Sequence, residues 1–90
     1  MKLLKFYAPW CGQCKVLDRE FKTNPINVSI YRNINIEEDE ETTTKYNIKN
    51  LPTIILLNDS DDVVARWTGI IKSEVVNNKI NEYTNTNISD

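Results

Sequence analysis

Cys11 and Cys14 are the only thiols in this 90-residue chain, and only Gly12 and Gln13 stand between them. Two sulfurs at that spacing can ligate a metal, staple a turn, or exchange electrons with a disulfide on another molecule. A closed zinc site takes four ligands, whereas the chain offers two cysteines and no histidine. A metal would therefore need a site shared between two copies, or an iron–sulfur cluster with an outside ligand. A staple across so short a gap closes a very small loop, where the gain in chain entropy is least. Redox exchange asks for one accessible, acidified thiol and a second near enough to resolve a mixed disulfide.

The surrounding pattern can position such a pair. "KLLKFY" (2–7) reads as a strand, with Leu4 and Phe6 on one face and Leu3, Lys5 and Tyr7 on the other. After Pro9 a helical pattern covers 11–23, in which Cys14, Leu17 and Phe21 recur at i, i+3 and i+7. Cys11 then stands at a helix start, where unpaired N–H groups and the helix dipole stabilise a thiolate. Cys14 lies one turn on and deeper. Cys11 would attack a substrate disulfide, and Cys14 would displace the reduced substrate, leaving Cys11–Cys14 oxidised. This is the reading the residues favour.

The rest of the chain supplies a scaffold of the same kind. "NPIN" (24–27) breaks the helix at Pro25. "VSIYRNINI" (28–36) alternates as a second strand, and "EEDEETTTKY" (37–46) fits a helix with acids in its first turn, those acids forming a solvated start. "TIILL" (53–57) is a buried strand, "NDSDD" (58–62) a turn, and "VVARW" (63–67) the antiparallel return on which Trp67 packs or lies at an edge. Ser73 caps a last helix with Val76, Ile80 and Tyr83 on one face, and 84–90 reads as a flexible tail. The expected architecture is α/β, one domain over 1–83 in the order βαβαββα, a four-stranded mixed sheet with helices on both faces. A hydrophobic content of 40 %, 27 % charged residues and a net charge of −2 suit a soluble domain and invite neither nucleic acid nor an anionic membrane. No apolar run approaches the ~18 residues of a membrane span or a secretory h-region. A cytoplasmic monomer is expected.

"FYAPWCGQCK" (6–15) strongly resembles the active-site stretch of the thioredoxin superfamily: its "WCG-x-CK" core is shared with thioredoxins, and "FYAPWCG" is worded as in protein disulfide isomerase domains. "KYNIKNLPTIILL" (45–57) resembles the family segment that carries a cis-proline opposite the cysteines, and Gly69 in "WTGI" resembles the family's glycine on the substrate groove. The resemblance implies a thioredoxin-like fold in the minimal, glutaredoxin-sized version. It also implies a cis Pro52, backbone hydrogen bonds from Leu51 to a bound peptide, and a groove to which Gly69, Ile70, Trp10, Gly12 and Gln13 contribute. Its function would be thiol–disulfide oxidoreduction, reducing disulfide-containing proteins. Electrons would come from a thioredoxin-reductase-like donor, flavin- and NADPH-dependent by family analogy, with no cofactor beyond the Cys11–Cys14 disulfide. Two other readings are an oxidase or isomerase of less reducing potential, and a non-catalytic thioredoxin-fold subunit of a larger enzyme. Glutaredoxin wording is absent, which argues against a dedicated glutathione site.

Two departures concern the poise of the pair. The family's buried acid, six residues before the first cysteine, corresponds to Lys5, and the lysine that pairs with that acid corresponds to Asn33. Lys5 cannot serve as a base while charged, but as a pKa-tuning residue it would favour thiolate. In the competing reading it merely snorkels to solvent across an uncovered edge. Gln13 replaces the usual proline and frees a backbone N–H. With Lys5, this predicts a potential less reducing than a typical thioredoxin's.

Overall fold

The computed structural model of the chain describes residues 1–88. Strand β1 (Lys2–Tyr7), helix α1 (Gly12–Thr23), β2 (Ile30–Asn35), α2 (Glu40–Lys45), β3 (Thr53–Leu57), β4 (Val63–Thr68) and α3 (Ser73–Ile88) follow in the expected order. The sheet runs β2-β1-β3-β4, with β1 parallel to β2 and both the β1–β3 and β3–β4 pairs antiparallel. The strand that leads into the cysteines is therefore an interior one.

Alternation along β1 sends its apolar side chains to two cores. Leu3 joins Leu17 and Phe21 of α1, Ile54 and Leu56 of β3, and Val76 and Ile80 of α3. Leu4 and Phe6 join Ile34, Ile55 and Leu57 on the opposite face, against Tyr46 and Ile48 at the end of α2. Helices thus cover both faces. That is why β3 reads as an unbroken apolar run: all five of its residues are buried. Trp67 packs against the first core from the edge strand β4.

Several element ends differ from the sequence reading. β2 stops at Asn35, whose carbonyl accepts the Glu38 and Asp39 amides and whose side chain accepts that of Glu37. The first three acids of "EEDEE" therefore form a turn, and α2 starts only after Asp39, whose carboxylate caps it through the Thr42 N–H at 3.0 Å. Helix α3 runs to Ile88, so helical backbone continues past Tyr83 into the stretch 84–90 read as a tail; residues 89 and 90 lie outside the described residues. Tyr83 ends the apolar stripe, but no glycine or proline follows to stop the helix.

Ser73 departs from its expected role as well. It is the first helical residue of α3, is buried, and donates its backbone N–H to the Glu20 carboxylate at 2.8 Å. The free amides at the start of α3 are thus met by a carboxylate from α1, which ties the two helices together. That amide above all holds the Glu20 carboxyl below the usual carboxylate range, with smaller help from Asn24 and Lys72.

Two stability measurements follow from this packing. Leu17 is fully buried in the first core, so Leu17→Ala should lower unfolding free energy by about 2–5 kcal/mol in a urea titration. A carboxyl depressed in the folded state contributes stability that is present at neutral pH and lost as pH falls through its folded pKa. Between about pH 5 and pH 3 the wild type should therefore lose stability more steeply than Glu20→Gln, measured by the same titration.

Candidate active site

The site begins where β1 ends. The Cys11 N–H donates to the Ala8 carbonyl at 3.1 Å, closing the Ala8–Cys11 turn and lifting Trp10 into solvent, where it is 67 % exposed. Cys11 is the N-cap of α1, with extended backbone, and its sulfur accepts the Cys14 N–H at 3.1 Å. The two cysteines are joined in a disulfide with Cα atoms 5.3 Å apart. Cys11 keeps 7 % exposure against 2 % for Cys14, so the gradient has the expected sense although both sulfurs are largely covered in this oxidised form. They pack with Ala8, and Tyr7, Ile36 and Leu51 close around them.

Leu51 arrives from the loop before β3, and its bond to Pro52 is cis. The Pro52 carbonyl accepts the Gly69 N–H at 2.8 Å, so the loop after β4 is pinned to the proline loop. Gly69 holds φ at +86°, a conformation that favours glycine. The space beside it is open, so the torsion and not crowding selects the residue. Ile70, next along, is half exposed and faces a groove of about 430 Å³ shared with Val16, Arg19, Thr23 and Lys72. Gly12 and Gln13 lie exposed on the first turn of α1, and a side chain at Gly12 would meet nothing within 4 Å. Leu51 thus packs against the cysteine cluster, Gly69 is held to Pro52, and Ile70 opens onto the adjoining groove.

Two polar partners escaped the sequence reading. Trp10 donates its indole N–H to the Glu37 carboxylate at 2.9 Å, which gives one acid of "EEDEE" a defined place beside the cysteines. Nothing local in the sequence signals a bond across 27 residues. Lys5 is 1 % exposed and forms an ion pair with Asp18 of α1, which corrects the snorkelling alternative: β1 is interior, so no open edge lies beside it. Its sheet neighbours are Asn33 and Ile54. The Asn33 position supplies no charge, and the counter-ion comes instead from the helix above. Burial first, and the Lys22 charge second, hold the Lys5 pKa down to about 8. Asp18 sits four residues after Cys14, a spacing that already placed it on the same side of the helix.

This arrangement suits thiol–disulfide exchange. A sulfur that caps a helix receives an N–H and the positive end of the dipole, and both favour its thiolate. Among the described residues, no group of three or more His, Cys, Asp or Glu side chains could hold a metal ion.

The thioredoxin family model matches residues 1–82. Thioredoxin of Chlamydia pneumoniae is 33 % identical over 84 residues, spanning 90 % of this chain and 80 % of that protein. Thioredoxin of Buchnera aphidicola is 33 % identical over 76 residues, spanning 81 % of this chain and 70 % of its own length. In backbone shape the chain is similar to thioredoxin 1 of Thermosipho africanus, with a TM-score of 0.80 at 23 % identity over 97 % of this chain and 98 % of that one. A cysteine pair at a helix cap beside a cis-proline loop, on a chain matched over residues 1–82, places this protein in the thioredoxin family as a thiol–disulfide oxidoreductase.

Proposed function

We propose that the chain reduces disulfides of folded or folding proteins, with Cys11 as nucleophile and Cys14 as resolving thiol. The observation that carries the assignment of roles is the position of the Cys11 sulfur as cap of α1, accepting the Cys14 amide. In the reduced protein the Cys11 thiolate attacks one substrate sulfur. A mixed disulfide forms, and the other substrate sulfur leaves as a thiolate that takes a proton from water. Cys14 then loses its proton and attacks the Cys11 sulfur. The second substrate thiolate departs, and two electrons have passed from the cysteine pair to the substrate. A reductase of the thioredoxin-reductase kind returns two electrons and two protons.

Substrate would lie in the surface between Trp10, Gly12 and Gln13 on one side and Leu51, Pro52, Gly69 and Ile70 on the other. The backbone of Leu51 is suited to pair with an extended segment. The exposed faces of Trp10 and Ile70 supply apolar contact at its margins. No helix among the described residues is long and apolar enough to cross a membrane, and the proposed setting is the cytoplasm, where target disulfides are transient. A monomer suffices, because both thiols and the groove come from one chain.

Insulin reduction with dithiothreitol or a reductase as electron source tests the reading. Cys11→Ser should fall to the uncatalysed rate. Cys14→Ser should still attack but fail to resolve, so it should accumulate a covalent adduct with insulin visible on a non-reducing gel. Equal activity of Cys11→Ser and wild type would overturn the assignment.

A further inference from the structure

Among the described residues Lys5 is the one buried charged side chain, on the sheet face that α1 and α3 cover, and the exchange steps above do not use it. On that face its strand neighbour two residues earlier is Leu3, which packs in the apolar core. A buried ion pair is a poor device for stability, since apolar residues of similar volume in its place are often neutral or stabilising. Its place suggests another use. The Lys5 ammonium lies 5.6 Å from the centroid of the Tyr7 ring, and Tyr7 packs against the Cys11–Cys14 cluster. Asp18 approaches from α1, one turn after Cys14. The pair has a direction: the lysine is 1 % exposed while the carboxylate is 42 % exposed, so the positive end lies inside, near the Tyr7 ring that packs on the cysteines, and the negative end is screened by water.

Resting on the exchange function proposed above, we infer that Lys5 and Asp18 are positioning residues that set the thiol–disulfide equilibrium of the cysteine pair. The buried ammonium provides a counter-charge for the Cys14 thiolate, and Asp18 keeps that ammonium charged. When two glutathione thiols reduce the pair, each gives up one electron and glutathione disulfide forms. The Cys11–Cys14 bond breaks, and Cys14 takes its share of the electrons as a thiolate beside a positive charge. The dithiol state is favoured, and the couple is more oxidising than it would be with an apolar residue at position 5. Other groups do not mimic this effect. Lys22 on α1 is a second positive charge that opposes the protonated state of Lys5, and Tyr7 offers its ring. The strand neighbours Asn33 and Ile54 and the buried α3 residues Val76 and Ile80 are uncharged. Burial and Lys22 hold the Lys5 pKa down to about 8 even with Asp18 paired to it, so removing that carboxylate would let the ammonium discharge at lower pH still.

The test is the equilibrium of wild type, Lys5→Met, Asp18→Asn and Asp18→Glu with reduced and oxidised glutathione, read by alkylation and mass from about pH 6 to pH 9. Lys5→Met should shift the constant about ten-fold toward disulfide, equivalent to about 30 mV in the reducing direction. Wild type should itself approach Lys5→Met above about pH 8, and Asp18→Asn should make the same approach at lower pH. Asp18→Glu should restore the wild-type profile. If both Lys5→Met and Asp18→Asn keep a constant within about two-fold of wild type at every pH, even with lower unfolding midpoints, the pair is structural and the inference fails. Should Lys5→Met not fold, the profile of Asp18→Asn alone decides, since Asp18 is partly exposed and tolerates an amide. Failure of the exchange function itself would appear separately, as a wild-type pair that neither equilibrates with glutathione nor reduces insulin.

Discussion

Helix α1 is held by one apolar stripe, Cys14, Leu17 and Phe21, which is buried against the sheet. Everything chemical in the molecule inherits its position from that contact. Leu17 and Phe21 meet Leu3, Ile54 and Leu56, so the helix axis is fixed over the two interior strands. Its N-terminus then projects beyond the end of β1, where the turn from Ala8 delivers Cys11 to the cap position. The second helix on that face is tied to α1 by Glu20 and the Ser73 amide, which limits any sliding between them. The proline loop before β3 and the Gly69 loop after β4 complete the mouth at the same end of the sheet as the C-terminus of β1.

Charge around the mouth is divided. Glu37 stands on the Trp10 side, with the start of α2 behind it, whereas Arg19, Lys72 and the Glu20 carboxylate border the groove beside Ile70. The two margins therefore differ in their mix of charges, within a net charge of only −2.

Much of this was legible from residues alone, because the signals were local. The period of Cys14, Leu17 and Phe21 predicted α1, the run "TIILL" predicted a strand buried on both faces, and Asn58 with its following acids predicted the hairpin turn. In that turn the Asn58 side chain accepts the Ser60 and Asp62 amides, a local pattern that the composition announces. The cis bond before Pro52 came through resemblance and not through pattern. What stayed hidden was long-range and polar. The pairing of Lys5 with Asp18 depends on which strand is interior, and the bond from Trp10 to Glu37 depends on where the turn after β2 lies. Element ends suffered for a similar reason: α2 begins where Asp39 can cap it, and Ser73 is met by a carboxylate from another helix.

The reacting sulfur of Cys11 is also the cap of the helix that carries it. Folding and electron transfer therefore share an atom, and a thermodynamic cycle links them. Stabilising the reduced state of the cap by a given free energy makes the folded couple more oxidising by the same amount, relative to the unfolded chain. A substitution far along α1 that holds its first turn more firmly in the reduced than in the oxidised form would consequently register as a change in voltage, and one that holds both equally would not. In this protein the difference in helix capping between the two redox states is part of the redox potential.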